Sequence, residues 1–239
     1  MNSIVNAKQF VASRLGIPYE NLSQSYIQKA VALGTQSVIN FPVQTSQVAS
    51  PLVTDNLLNL NDEFVVTSYT VFLRSVGADS PTNTQLLNAL PITYCDLNVF
   101  TGTNAANVGA VFNGTLSFTI DRKDFIPAYP TRAFYRVPDT QTAANAFFTS
   151  SAQKLVNSFP NSLFGFVESE PVKITGRQTI DISVDLGASV IMDDSSATYY
   201  AVLELRGFLV GSDTRQDQCF SKKTTLREAK LFHPELHKV

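Results

Sequence analysis

Residues 178–186 read QTIDISVDL, and the alternation is strict. Ile180, Ile182, Val184 and Leu186 fall on one side of an extended chain, while Thr179, Asp181, Ser183 and Asp185 fall on the other. A period of two with one apolar and one polar face predicts a strand that covers a core on one side and meets water on the other. A turn cluster follows at Asp193–Ser196, and Tyr199–Val210 resumes the pattern with Tyr199, Ala201, Leu203, Leu205 and Leu209 on the core face.

Working back from this stretch, the same signal recurs. Leu163–Ile174 reads as a strand, and Ala110–Ile120 places Phe112, Leu116, Phe118 and Ile120 inward, although Asn113-Gly114 also suits a tight hairpin. Pro91–Phe100 puts Thr93, Cys95, Leu97 and Val99 on one face. Glu63–Val76 (EFVVTSYTVFLRSV) is a long strand, apolar on both faces in places. Ser37–Gln44 (SVINFPVQ) is a strand that Pro42 pushes to an edge. Polar or turn-forming stretches at 45–61, 77–83 and 101–107 separate these segments.

Two regions depart from the pattern. Thr142–Phe159 is helical, with Phe147, Phe148, Ala152, Leu155, Val156 and Phe159 on one side and Pro160 as its stop. Asp124–Pro138 (DFIPAYPTRAFYRVP) holds Pro127, Pro130 and Pro138 among Phe125, Tyr129, Phe134 and Tyr135. Prolines at that density forbid a continuous ladder, so the segment reads as an aromatic contact loop. Phe125, Tyr129, Arg132, Phe134 and Arg136 are its candidate assembly contacts.

Residues 1–35 read as a helical arm. Asn2 or Ser3 caps a helix carrying Ile4, Ala7 and Val11 that ends near Gly16. Leu22, Tyr26, Ala30 and Leu33 then recur at helical spacing up to Gly34, with Tyr26 a further candidate contact. Helices this short are marginal alone and need a partner surface, either their own body or a neighbouring subunit. About eight strands with one inserted helix, and no regular strand–helix alternation, give an all-β class: an antiparallel sandwich or jelly roll over residues 36–213.

Charge divides the chain in the same places. Lys8, Arg14 and Lys29 against Glu20 make the arm +2. Arg215, Lys222, Lys223, Arg227, Lys230 and Lys238 against Asp217, Glu228 and Glu235 make the tail 214–239 +3, so with −2 overall the body is −7. Lys222, Lys223, Arg227 and Lys230 are the densest basic cluster, read either as weak, non-specific contacts to nucleic-acid phosphates or as a solvated amphipathic helix with Leu226 and Leu231. Charged residues are only 16% of the chain against 44% hydrophobic. A surface of uncharged Thr, Ser, Asn and Gln is cheap to desolvate and suits protein–protein contact; an ordinary Thr-rich all-β surface has the same look.

Chemistry is sparse. His233 and His237 are the two histidines and both lie in the tail, and no nucleophile-elbow, zinc-protease or phosphate-loop motif occurs. Glu168 with Glu170, and Asp181 with Asp185, share strand faces as a glycosidase pair would, but the chain has no Trp to line a sugar cleft. Solvated strand faces account for them more simply. Asp193-Asp194 could donate oxygens to Ca²⁺, yet it lacks the EF-hand spacing and reads as a turn. The expectation is therefore no enzyme, no cofactor and no metal. Cys95 and Cys219 make no disulfide framework, no apolar signal region precedes Lys8, and no run of 18 apolar residues implies a membrane span, which together suggest synthesis in a reducing cytoplasm.

A helical arm, then SVINFPVQ, then an eight-strand body closing on YYAVLELRGFLVG and a polar tail: this arrangement resembles the jelly-roll coat proteins of icosahedral viruses, in particular small bacteriophages. The resemblance implies a structural protein of the virion, made in the host cytoplasm, that self-assembles into a shell with copies of itself and other virion proteins. The arms are less basic than in many RNA-virus coat proteins, which argues against genome packaging by the arms. Two alternatives share the same β body: a module of a phage fibre or baseplate, and a lectin-like sandwich, which would require a concave site with an aromatic and a carboxylate.

Overall fold

The computed structural model describes residues 2–95, 99–136, 166–195 and 197–211, with side chains from Val5 onward. Among these residues the chain forms eight strands: β1 (Leu22–Ala32), β2 (Thr35–Asn40), β3 (Glu63–Val76), β4 (Thr115–Ile120), β5 (Lys123–Pro130), β6 (Val167–Thr175), β7 (Ile180–Ile191) and β8 (Thr198–Val210). The helices are α1 (Asn2–Leu15) and the short α2 (Asn83–Asn88). The fold class is an all-β sandwich of two antiparallel four-stranded sheets. Sheet 1 has the order β1-β8-β3-β6 and sheet 2 the order β2-β7-β4-β5. Every strand pairs with its counterpart counted from the other end of the series: β1 with β8, β2 with β7, β3 with β6, β4 with β5. Two further pairings, β3 with β8 and β4 with β7, complete the sheets.

The main core lies between the sheets. Ile180, Ile182 and Val184 of β7 meet Leu116 and Phe118 of β4, and opposite them stand Tyr69, Val71 and Leu73 of β3 and Leu203 and Leu205 of β8. Each such side chain, fully buried, contributes about 1.5–3 kcal/mol. The reading of QTIDISVDL holds: Ile180, Ile182 and Val184 are buried, Leu186 is half-buried, and Asp181 and Asp185 are exposed. The bounds of Glu63–Val76 also match the sequence reading.

β1 corrects the expectation of a second helix over 18–34. Leu22–Ala32 is a strand paired with β8 along its whole length. The cause is burial on both sides. Ile27 and Val31 join the main core, while Leu22 and Ala30 join separate clusters on the outer face of sheet 1. A strand covered on both faces loses its polar alternation, and its apolar residues then fall by chance at helical spacing. The helical arm is thus confined to Asn2–Leu15. It packs on its own sheet, with Val11 buried beside Leu22, Val65 and Phe208.

Other expectations shift. Ile92 makes a single bridge to Leu73, and the described part of 91–100 is otherwise not strand; Leu97 lies outside the described residues. Residues 105–113 form a 3-10 helix, so β4 begins only at Thr115. Gly114 sits between them where a Cβ would lie 2.6 Å from the Asp185 carbonyl, so the close approach of β7 demands glycine. The segment expected as a contact loop from 124 is instead the edge strand β5 followed by a 3-10 turn at Thr131–Phe134. The helix read over 142–159 and the tail 214–239 lie outside the described residues.

Candidate assembly surfaces

Sheet 1 is covered on its outer face at both ends. At one end α1 lays Val11, Ala12 and Leu15 over Leu22, Val65 and Phe208. At the other, Leu86 of α2 and Leu52 cover Phe72, Val76, Tyr200 and Val202. α2 is set by a capping box: Thr82 accepts from the Gln85 amide while the Gln85 side chain takes the Thr82 amide.

The loop before β3 is clamped to the β1 edge by one carboxylate. Asp55 receives the Lys29 ammonium at 2.6 Å, the Ala30 amide at 3.0 Å and the Leu52 amide at 2.9 Å. Its side chain has no exposure and that of Lys29 only 9%. Backbone bonds between Gln28 and Asn56, and Gln28 Nε2 on the Thr54 carbonyl, finish the clamp. This capping leaves no open ladder on that stretch of edge. Lys29 lay among apolar neighbours in the sequence, which is the signal that a buried partner was needed.

Among the described residues, a strip of sheet 1 between the two covered ends stays open. Register places Tyr26 of β1 opposite Arg206 of β8, and Gln28 opposite Glu204. Arg206 Nε donates to Glu204 Oε1 at 2.7 Å, and its guanidinium carbon stands 3.7 Å from the Phe166 ring centre. Tyr26 is 48% exposed. Nearby, burial pulls the Arg74 guanidinium below its ordinary pKa, an effect opposed by Glu204, Asp55 and Tyr26.

Among the described residues, the outer face of sheet 2 is polar and partly to fully exposed. Its outward residues include Asn40 on β2, Asp181, Ser183 and Asp185 on β7, Ser117 and Thr119 on β4, and Asp124 on β5. Ser117 and Ser183 share a hydroxyl–hydroxyl bond of 3.0 Å. Among the described residues this face carries three aspartates and no aromatic residue.

The aromatic candidates of β5 and the following turn separate by role. Phe134 is fully buried and meets Tyr69 edge-on at 5.9 Å; Tyr129 is half-buried against the same ring at 5.7 Å. Phe125 is half-buried and edge-on to Phe118 at 5.3 Å. Burial, with Tyr129 alongside, pushes the Tyr69 hydroxyl up to about 12. These rings belong to the fold, whereas Arg132 and Arg136 are exposed. The Arg136 backbone bonds to Thr93 in both directions, which pins the exit of the turn. Pro127 and Pro130 are tolerated because β5 pairs only with β4 and its register slips on either side of Phe118.

The remaining candidates stay apart. Glu168 and Glu170 are exposed on edge strand β6. Asp193 and Asp194 follow β7; the Asp193 carbonyl accepts from Asn104, and among the described residues no group of three His, Cys, Asp or Glu is placed to hold a metal. Lys222, Lys223, Arg227 and Lys230 lie outside the described residues. No helix among the described residues is long and apolar enough to cross a membrane. Comparison with known proteins finds no matching family model, no matching curated protein and no matching solved structure.

Proposed function

We propose that this chain is a jelly-roll coat protein that assembles with copies of itself into a virion shell. The observation that carries the reading is the nesting of strand pairs, 1 with 8, 2 with 7, 3 with 6 and 4 with 5, divided between sheets ordered 1-8-3-6 and 2-7-4-5. A long antiparallel ribbon rolled upon itself has this pairing, and it is a wrap used by viral shells and by lectins. Three features favour the shell. The surface has few charges, β1 has its edge capped, and the exposed Arg132 and Arg136 stand beyond an edge strand of a body whose net charge is −7. Cationic side chains against an acidic neighbour give contacts of defined register. Lys222, Lys223, Arg227 and Lys230 then serve the neighbouring subunit or weak contact with nucleic acid.

Sedimentation velocity of the purified full-length chain tests this. A species of megadalton mass is expected, and replacing Arg132 and Arg136 with Ala should lower its yield while leaving the melting temperature in place. A monomer or small oligomer across protein concentrations would instead favour the fibre-module or lectin-like alternative.

A further inference from the structure

The open strip of sheet 1 has the chemistry of a ligand site, and this observation is independent of shell assembly. Gln24, Ser25, Tyr26 and Gln28 of β1 and Glu204 and Arg206 of β8 line a cleft of about 430 Å³. That volume falls within the usual range for small-ligand sites. The strand register sets the rows, Tyr26 beside Arg206 and Gln28 beside Glu204.

The walls are held before any ligand arrives. Asn56 Nδ2 donates to the Tyr26 carbonyl at 2.5 Å, and Gln28 Nε2 is fixed on the Thr54 carbonyl at 2.7 Å. Arg206 is gripped between Glu204 and the Phe166 ring. Farther along the same face, Arg74 Nε is buried without a hydrogen-bond partner among the described residues.

We infer that this cleft binds a neutral saccharide, one or two sugar rings in length. A sugar ring offers C–H groups on its face and hydroxyls that both donate and accept around its rim. Tyr26, 48% exposed, supplies an aromatic surface for the face. Gln24 supplies a donor and an acceptor together, Glu204 supplies an acceptor, and Arg206 supplies its remaining N–H groups. Phosphate-bearing ligands fit worse, because Glu204 sits in the wall and already engages Arg206. A purely apolar ligand would strand these polar groups without water.

The test is binding of the full-length chain to an array of neutral oligosaccharides, followed by titration calorimetry with the sugar that scores. Binding to a neutral sugar is expected, and Tyr26→Ala should weaken it by at least about tenfold, with Gln24→Ala in the same direction. Tyr26 is 48% exposed, so its variant should melt with the parent, and Gln24→Ala, at a residue outside the candidate assembly contacts, should lose binding while sedimenting as the parent does, which keeps this result separate from assembly. Absence of binding to any neutral sugar, binding unaffected by Tyr26→Ala, or preference for sulfated or phosphorylated sugars that survives Tyr26→Ala would each overturn the inference.

Discussion

On the side turned away from its partner, sheet 1 carries Val65, Phe72, Val202 and Phe208, whereas sheet 2 carries Ser117, Thr119, Asp181 and Ser183. Both sheets have four strands and share one core, so the difference is a matter of what covers them. α1, α2 and the Asp55 loop roof sheet 1, while the outer face of sheet 2, among the described residues, mixes hydroxyls with the carboxylates of Asp124, Asp181 and Asp185. Among the described residues the sandwich thus has a roofed side and an exposed polar side. In the proposed shell, such a division would let one side hold shape while other surfaces meet neighbours.

The comparison can be broken at the shared core first. Ile182→Asp places an unpaired charge between the sheets and should cost more than about 4 kcal/mol. A soluble variant with an unchanged melting curve would refute the assignment of β7. Next come the roof positions. Phe72→Ala should cost about 3–5 kcal/mol, a core-sized penalty on what would be the solvent side of an ordinary sandwich. Asp55→Ala should cost about 3–5 kcal/mol by leaving the Lys29 charge buried alone. Denaturant melts of both variants check these values, and losses below 1 kcal/mol would mean that the roof does not seal sheet 1.

A smaller effect sits where the sheets meet. The Tyr69 hydroxyl titrates at about 12 in the folded protein and near 10 in the unfolded chain, so only the unfolded chain loses the proton between those values. Its contribution is complete below pH 10 and should fade by about 1.4 kcal/mol per pH unit up to pH 12. Stability measured over that range should fall less steeply in Tyr69→Phe. The smallest effect belongs to the open face: Asp181→Ala should change stability by no more than about 0.5 kcal/mol. A larger loss would show that this face is already occupied in the folded chain.

Legibility in the sequence followed the same division. IDISVDL and TLSFTI announce one wet and one dry face, and β7 and β4 were readable from them. β1 was not, because roofing removed its alternation and left Leu22, Tyr26, Ala30 and Leu33 in helical register. β5 was obscured by prolines that an edge strand with slipped register can carry. Tyr26 and Arg132 could be named as exposed candidates, but the cleft joins Tyr26 to Arg206 and Gln28 to Glu204 across the whole body. Only the strand order brings them together, and no local pattern encodes it.

The most direct test of the central claim is negative-stain imaging of the purified full-length chain. The account predicts closed shells of uniform diameter. Fields of dispersed small particles, or open filaments, over the concentrations at which the body is folded would contradict it.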